Sequence, residues 1–166
     1  MKLRTVLPML AVATFALAAC ASKVDFATYK EKAVEACKKE SGYKKFTMKG
    51  TVKEENGGAK TEIKLNHTYE ITDSLLSPVK RVKGEEGATY DSYAYVVLMM
   101  RADTFAIAES EDCTYYAGST FKVVFKDEDG QTTYEFDKFG YVTSMKGKSS
   151  NGNDKGEGDI KVSWSK

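Results

Sequence analysis

The chain opens its ordered pattern with one helical period and then turns to alternation. From Asp25 to Ser41 the apolar residues Phe26, Tyr29, Ala33, Ala36 and Cys37 recur at the spacing of one helix face. Lys30, Glu31, Lys32, Glu35 and Lys38 fill much of the rest. Asp25 has the chemistry of an N-cap and Gly42 that of a stop, so a helix is predicted between them, with Cys37 pointing at the core. Beyond it the period drops to two. Phe46, Met48, Gly50 and Val52 alternate with Lys45, Thr47, Lys49, Thr51 and Lys53. Asn56-Gly57-Gly58 then has the composition of a hairpin turn. The return strand puts Ile63, Leu65, His67, Tyr69 and Ile71 on one face, with Glu62 and Glu70 placed to meet lysines of the first strand.

Leu75 to Gly87 reads as a connection with room for a short strand near Val79 to Val82. Thr89 to Glu109 has helical spacing through Tyr90, Tyr93, Ala94, Val97, Met100 and Arg101 and is read as a helix, with a buried strand over Tyr93 to Met100 as the alternative. Four strands follow: Phe121 to Phe125, Tyr134 to Phe136, Tyr141 to Met145 and Ile160 to Trp164. Asp129-Gly130 marks a hairpin, and Ser149 to Gly158 reads as a polar, Gly-rich loop. Strands with one apolar and one charged face make an antiparallel sheet with one wet side. The helices have apolar stripes to bury and must cover the other side. The expected fold is α+β: a curved antiparallel sheet of about six strands on one or two helices, in the order α-β-β-α-β-β-β-β.

The first 20 residues follow a different pattern. Lys2 and Arg4 precede an apolar run from Val6 to Ala19, too short to span a bilayer and followed by Cys20. Leu17-Ala18-Ala19-Cys20 resembles the signal of bacterial lipoproteins, in which Leu and two small residues precede a cysteine. The resemblance covers residues 1–20. It implies cleavage after residue 19, lipid attachment at Cys20, a location on the extracytoplasmic face of the cell envelope, and the membrane as a partner. In a Gram-negative envelope it implies the outer membrane, since Ala21 stands where an inner-membrane retention signal has Asp. The expected organisation is a signal over 1–19, a lipidated tether over 20–24, at most about 14 Å beyond the cysteine, and one domain over 25–166. With Cys20 assigned to lipid, Cys37 and Cys113 remain, and two thiols in an exported domain are expected to form one disulfide; two buried free thiols are the alternative.

Charge narrows the functional classes. The chain has 25 basic and 24 acidic side chains, and residues 1–19 contribute only Lys2 and Arg4, so the domain is nearly neutral. That leaves no electrostatic footprint for nucleic acid. His67 is the one histidine and no Cys-x-x-Cys spacing occurs, so neither a metal nor another cofactor is expected. Glu109, Glu111 and Asp112 read as a solvated cluster. Asn151 to Gly156 departs from a calcium loop at Lys155 and at Val162, where oxygen ligands are required. Lys44, Lys45, Lys49 and Lys53 form a basic stripe, read as the solvated face of a strand or as a contact with anionic headgroups.

No set of residues assembles nucleophile, base and orienter, so no enzyme activity is expected. Tyr134-Glu-Phe-Asp-Lys-Phe-Gly-Tyr141 resembles strand-turn-strand units of lipoprotein-carrier half-barrels, whose sheet cradles an apolar ligand. The resemblance implies a binding lipoprotein holding an apolar or amphipathic ligand between sheet and helices. Met48, His67, Tyr69 and Trp164 are the candidate lining. The alternative is a protein-binding envelope lipoprotein, such as an assembly factor, inhibitor or adhesin, without a ligand cavity.

Overall fold

The computed structural model describes residues 21–166. The lipid-attachment candidate Cys20 and the signal-like segment before it lie outside them. The chain runs β1 (Ser22–Val24), α1 (Phe26–Cys37), β2 (Lys45–Asn56), β3 (Ala59–Ile71), β4 (Val79–Lys83), α2 (Ala88–Met99), a 3-10 helix (Ala102–Ala106), β5 (Cys113–Ala117), β6 (Phe121–Lys126), β7 (Gly130–Phe136), β8 (Val142–Asn151) and β9 (Asp154–Ser165). All nine strands form one antiparallel sheet in the order β1-β5-β6-β7-β8-β9-β2-β3-β4, open between its edges β1 and β4.

The α+β class and the antiparallel sheet stand; the expected count of about six strands does not. Three strands are additional. Ser22–Val24, expected to be tether, pairs with β5 through Ser22↔Ala117 and Val24↔Tyr115. Cys113–Ala117 pairs with β6 across the turn that begins at Gly118-Ser119. Val79–Lys83, where the connection had room for a short strand outside the count of six, closes the other edge against β3. The stretch Ser149 to Gly158 is mostly strand rather than loop: β8 and β9 stay paired to Asn151↔Asp154 around the Gly152-Asn153 turn. Its glycines imitate a loop by composition, whereas Lys146–Asp159 (3.2 Å) and Lys148–Glu157 (3.1 Å) bind the two strands on the wet face.

The registers trace one continuous face. Val24, Tyr115, Val123, Tyr134, Met145, Ile160, Gly50 and Leu65 are successive cross-strand partners, so they share one side of the sheet. Both helices pack on that side, at opposite ends. α1 starts as expected, with Asp25 accepting from Thr28 N–H at 2.7 Å. It stops at Cys37, four residues before the expected end at Ser41. Its buried Tyr29 meets Tyr115 and Phe121, with ring centroids 5.0 and 6.1 Å apart. α2 confirms the helical reading of the middle segment but ends at Met99, where Met100 turns extended and the 3-10 helix takes over. Between α1 and α2 the sheet face is only partly covered.

The expected Cys37–Cys113 disulfide is absent, and both thiols are free. The sulfurs occupy different surroundings. Cys37 packs against Gly140, so closely that a β-carbon there would overlap its sulfur, and bonds with Asp103. Cys113 stands across from Phe125 at the start of β5. Burial pushes the Cys37 thiol up, keeping it protonated.

Candidate functional site: an apolar groove beside the second helix

α2 is fixed to the sheet by its first two turns. Asp91 receives Arg81 Nη1 and the Tyr69 hydroxyl, each at 3.0 Å. Tyr90 stacks on His67 with centroids 4.2 Å apart. Ala94 and Val97, fully buried, seat the middle of the helix. Small and β-branched residues at this spacing let the helix approach closely, which leaves Tyr93 and Val96 on its flank above the centre of the sheet.

That flank and the sheet form an open groove of about 290 Å³. Tyr93 and Val96 make one wall. Val52 of β2, Ile160 of β9, Met145 of β8 and Tyr134 of β7 make the apolar floor and far side, and Gly147 and Gly158 lie between them. These two glycines are direct cross-strand partners. Their missing side chains lower the floor along the line that Met145 and Ile160 begin. A β-carbon at Gly158 would meet only Val52 Cγ2, at 4.0 Å. Burial raises the Tyr93 phenol, with the Glu54 carboxylate adding to it; burial also raises Tyr134, so both walls present neutral hydroxyls on apolar rings. Lys53, Lys146, Lys148 and Glu157 stand at the rim. The arrangement can bury an apolar chain and offer polar contacts at its edge.

A larger hollow, about 480 Å³, opens between the β2–β3 and β8–β9 hairpin tips. Its walls are Lys and Glu side chains, several already paired with one another, as in Lys148–Glu157 at 3.1 Å and Lys60–Glu55 at 4.0 Å. Little charge is left there to select a ligand.

The four candidate lining residues lie elsewhere. Met48 and His67 are paired across β2 and β3, and Phe46 links Tyr69 to Trp164, so the register does bring them to one face. Met48, His67 and Tyr69 are buried in packed core beneath α2 rather than in open space. Trp164, half-buried, stands in an aromatic cluster with Tyr43, Phe46 and Tyr141, its indole N–H donating to Val142 O at 2.7 Å. The His67 ring takes a hydrogen bond from Asn66 N–H at Nδ1 (3.1 Å), while Nε2 is buried without a partner. The Lys45 end of the basic stripe is paired with Glu70 at 3.0 Å, and Glu109, Glu111 and Asp112 lie exposed before β5. Among the described residues no group of His, Cys, Asp and Glu gathers to hold a metal.

The groove itself escaped the sequence. One signal was present: Gly147 and Gly158 are equidistant from Gly152-Asn153, which makes them partners as soon as that dipeptide is taken as the hairpin turn. No family model matches the chain, and neither a curated protein nor a solved structure matches it.

Proposed function

We propose that this chain is an extracytoplasmic binding lipoprotein of the bacterial cell envelope, anchored through Cys20, that holds an apolar or amphipathic ligand against its sheet without transforming it. The groove between α2 and the Gly147–Gly158 floor carries the proposal. Its volume, about 290 Å³, is near the lower end for ligand sites, and its floor is mostly apolar, with the Thr132 hydroxyl beside Gly147 and charged groups at the rim. A groove open along its length suits one acyl chain or an extended apolar segment better than a compact solute. The lipoprotein-like Leu17-Ala18-Ala19-Cys20 supports the location, on the outer membrane if the envelope is Gram-negative.

A second reading, a protein-binding envelope lipoprotein, is favoured by Met99 and Ile107. They stand 71% and 78% exposed at the ends of α2 and the 3-10 helix, outside the groove.

Organic extraction of protein purified from membranes, followed by mass spectrometry, is expected to recover a stoichiometric apolar compound beyond any acyl groups on Cys20. Gly158→Phe fills the groove at a position with room for a side chain. It is expected to weaken uptake of a fluorescent fatty acid at least about tenfold, equivalent to about 1.4 kcal/mol, with an unchanged unfolding midpoint. Empty wild-type protein, or undiminished uptake by Gly158→Phe, would return the groove to structural packing and favour the second reading.

A further inference from the structure

The loop between β3 and β4 presents two leucines to solvent. Leu75 is 99% exposed and Leu76 is 95% exposed. Scattered apolar residues on a surface need no explanation, but an adjacent pair at a loop tip with almost no protein contact does. The loop is not loose. Thr72 N–H donates to Pro78 O at 2.9 Å and the Thr72 hydroxyl donates to Ser77 O. Ser74 N–H donates back to Thr72 Oγ1 at 3.3 Å, and Ser77 N–H donates to Ser74 Oγ at 3.2 Å. These bonds hold the N–H groups of Thr72, Ser74 and Ser77 and the carbonyls of Ser77 and Pro78 within the loop, so it has a defined shape behind the two leucines, and Pro78 has no N–H. The headgroup boundary, unlike the hydrocarbon core, still supplies water to the backbone of the tip.

Strand direction places this loop. β3 ends and β4 begins at the end of the sheet where β2 starts and β9 finishes, as Lys45↔Glu70 and Lys45↔Ser165 show. Following the antiparallel order across the sheet, the same end holds the β7–β8 turn at Asp137 to Tyr141 and the β5–β6 turn. It also holds Ser22, the first residue of β1, paired with Ala117. Ala21, next to Cys20, therefore enters the domain at the end that carries Leu75 and Leu76, but at the opposite edge of the sheet. Lys38, Lys44 and Lys138 stand at this end, and none has an ion pair among the described residues. Of the acids there, Asp73 and Glu40 are exposed, Glu70 is paired with Lys45, and Asp103 bonds with Cys37. Asp137 is occupied by the Tyr43 hydroxyl and by the N–H groups of Phe139 and Tyr141.

We infer that Leu75 and Leu76 insert into the headgroup boundary of an anionic lipid bilayer, as a second point of membrane contact. This rests on the proposed anchoring at Cys20 and adds to it. Eight strand spacings separate the two points, about 38 Å along the sheet. Two contacts that far apart stand the strands upright on the surface. The groove, which opens beside the half of the sheet nearer the hairpin tips, then faces away from the bilayer. The lysines at the base add attraction to anionic headgroups.

The test uses Leu75→Trp in the full chain, purified from membranes and reconstituted in phosphatidylcholine–phosphatidylglycerol vesicles with brominated acyl chains. Wild-type protein, emitting from Trp164 alone, sets the baseline. The introduced indole is expected to emit blue-shifted and to lose its emission to the bromines. Unshifted, unquenched emission would overturn the inference. So would a blue shift that appears only as the protein dimerises in sedimentation, which would assign the leucines to a second copy of the chain. The mass of the same preparation reads the anchor separately. Acyl groups on Cys20 with an unquenched indole leave the anchor and remove the loop contact. A quenched indole on an unacylated chain does the reverse.

Discussion

A β-carbon at Gly84 would overlap the His67 ring, and its φ of +113° belongs to a region that favours glycine. The ring is held from the other side by Tyr90, so it cannot retreat. Gly84→Ala is therefore expected to cost about 2 kcal/mol in urea unfolding. In a His67→Ala background the overlap disappears and only the backbone share of that cost remains, a coupling that a double-mutant cycle measures directly. Two phenols set an alkaline limit on the same scale. Burial, and then the hydrogen bond to Asp137, pushes Tyr43 up to about 12; burial, and then Asp91, does the same for Tyr69. Unfolded phenols ionise near 10. The folded state disfavours phenolate, so the stability these two contribute is fully present below about pH 10 and is lost as pH rises from there through about 12. Tyrosinate absorbance and loss of structure are expected to rise together over that range. Early ionisation of both phenols in a still-folded protein would contradict the geometry.

At the scale of elements, one arginine ties three of them. Arg101 starts the 3-10 helix, forms a bridge with Tyr141, and donates to Phe139 O at 2.8 Å, Gly140 O at 3.3 Å and Cys37 O at 3.4 Å. Its guanidinium also lies 3.8 Å from the centroid of the Tyr141 ring. It thereby fixes the end of α1 against the β7–β8 turn. Arg101→Lys loses the planar fork that reaches several carbonyls and is expected to lower stability by about 2 kcal/mol in denaturant melts. Elements with a clean period were legible beforehand: α1 through its aromatic stripe and Asp25 cap, and the β2–β3 hairpin through strict alternation around Gly57-Gly58. Where the period breaks, the sequence misleads. Tyr141, Thr143 and Met145 look like one face of a strand. The irregularity at Glu135/Phe136 pairs Phe136 with Val142 and Glu135 with Ser144, leaving Thr143 as an extra residue that shifts the alternation. Arg101, read as part of a helix face, shows its role only when the chain returns at Gly140, 39 positions later.

Across the whole molecule, the sheet is wider than its local signals because its edges are its weakest elements. β1 has three residues and β4 and β5 have five each, too short for period-two patterning to separate them from connections. The helix-covered face was legible as apolar, but not where its cover ends. Met48, His67 and Tyr69 are as apolar in setting as Met145 and Ile160. What distinguishes the two groups is the position of α2, fixed by the Tyr69–Asp91–Arg81 cluster that no local motif announces. The same short edge strand has a mechanical meaning. Ser22 leaves β1 at the base of the sheet along the strand's own axis, while the β1–β5 hydrogen bonds run across it. A pull on Ala21 away from that base loads all those bonds together in shear, instead of breaking them one at a time as a sideways peel would. Behind β1 the tension passes into α1, held by Tyr29, whose hydroxyl donates to Ala102 O at 2.8 Å. Three residues of strand thus turn the chain's entry into the sheet into a fixture that resists force along the strands and yields to force across them.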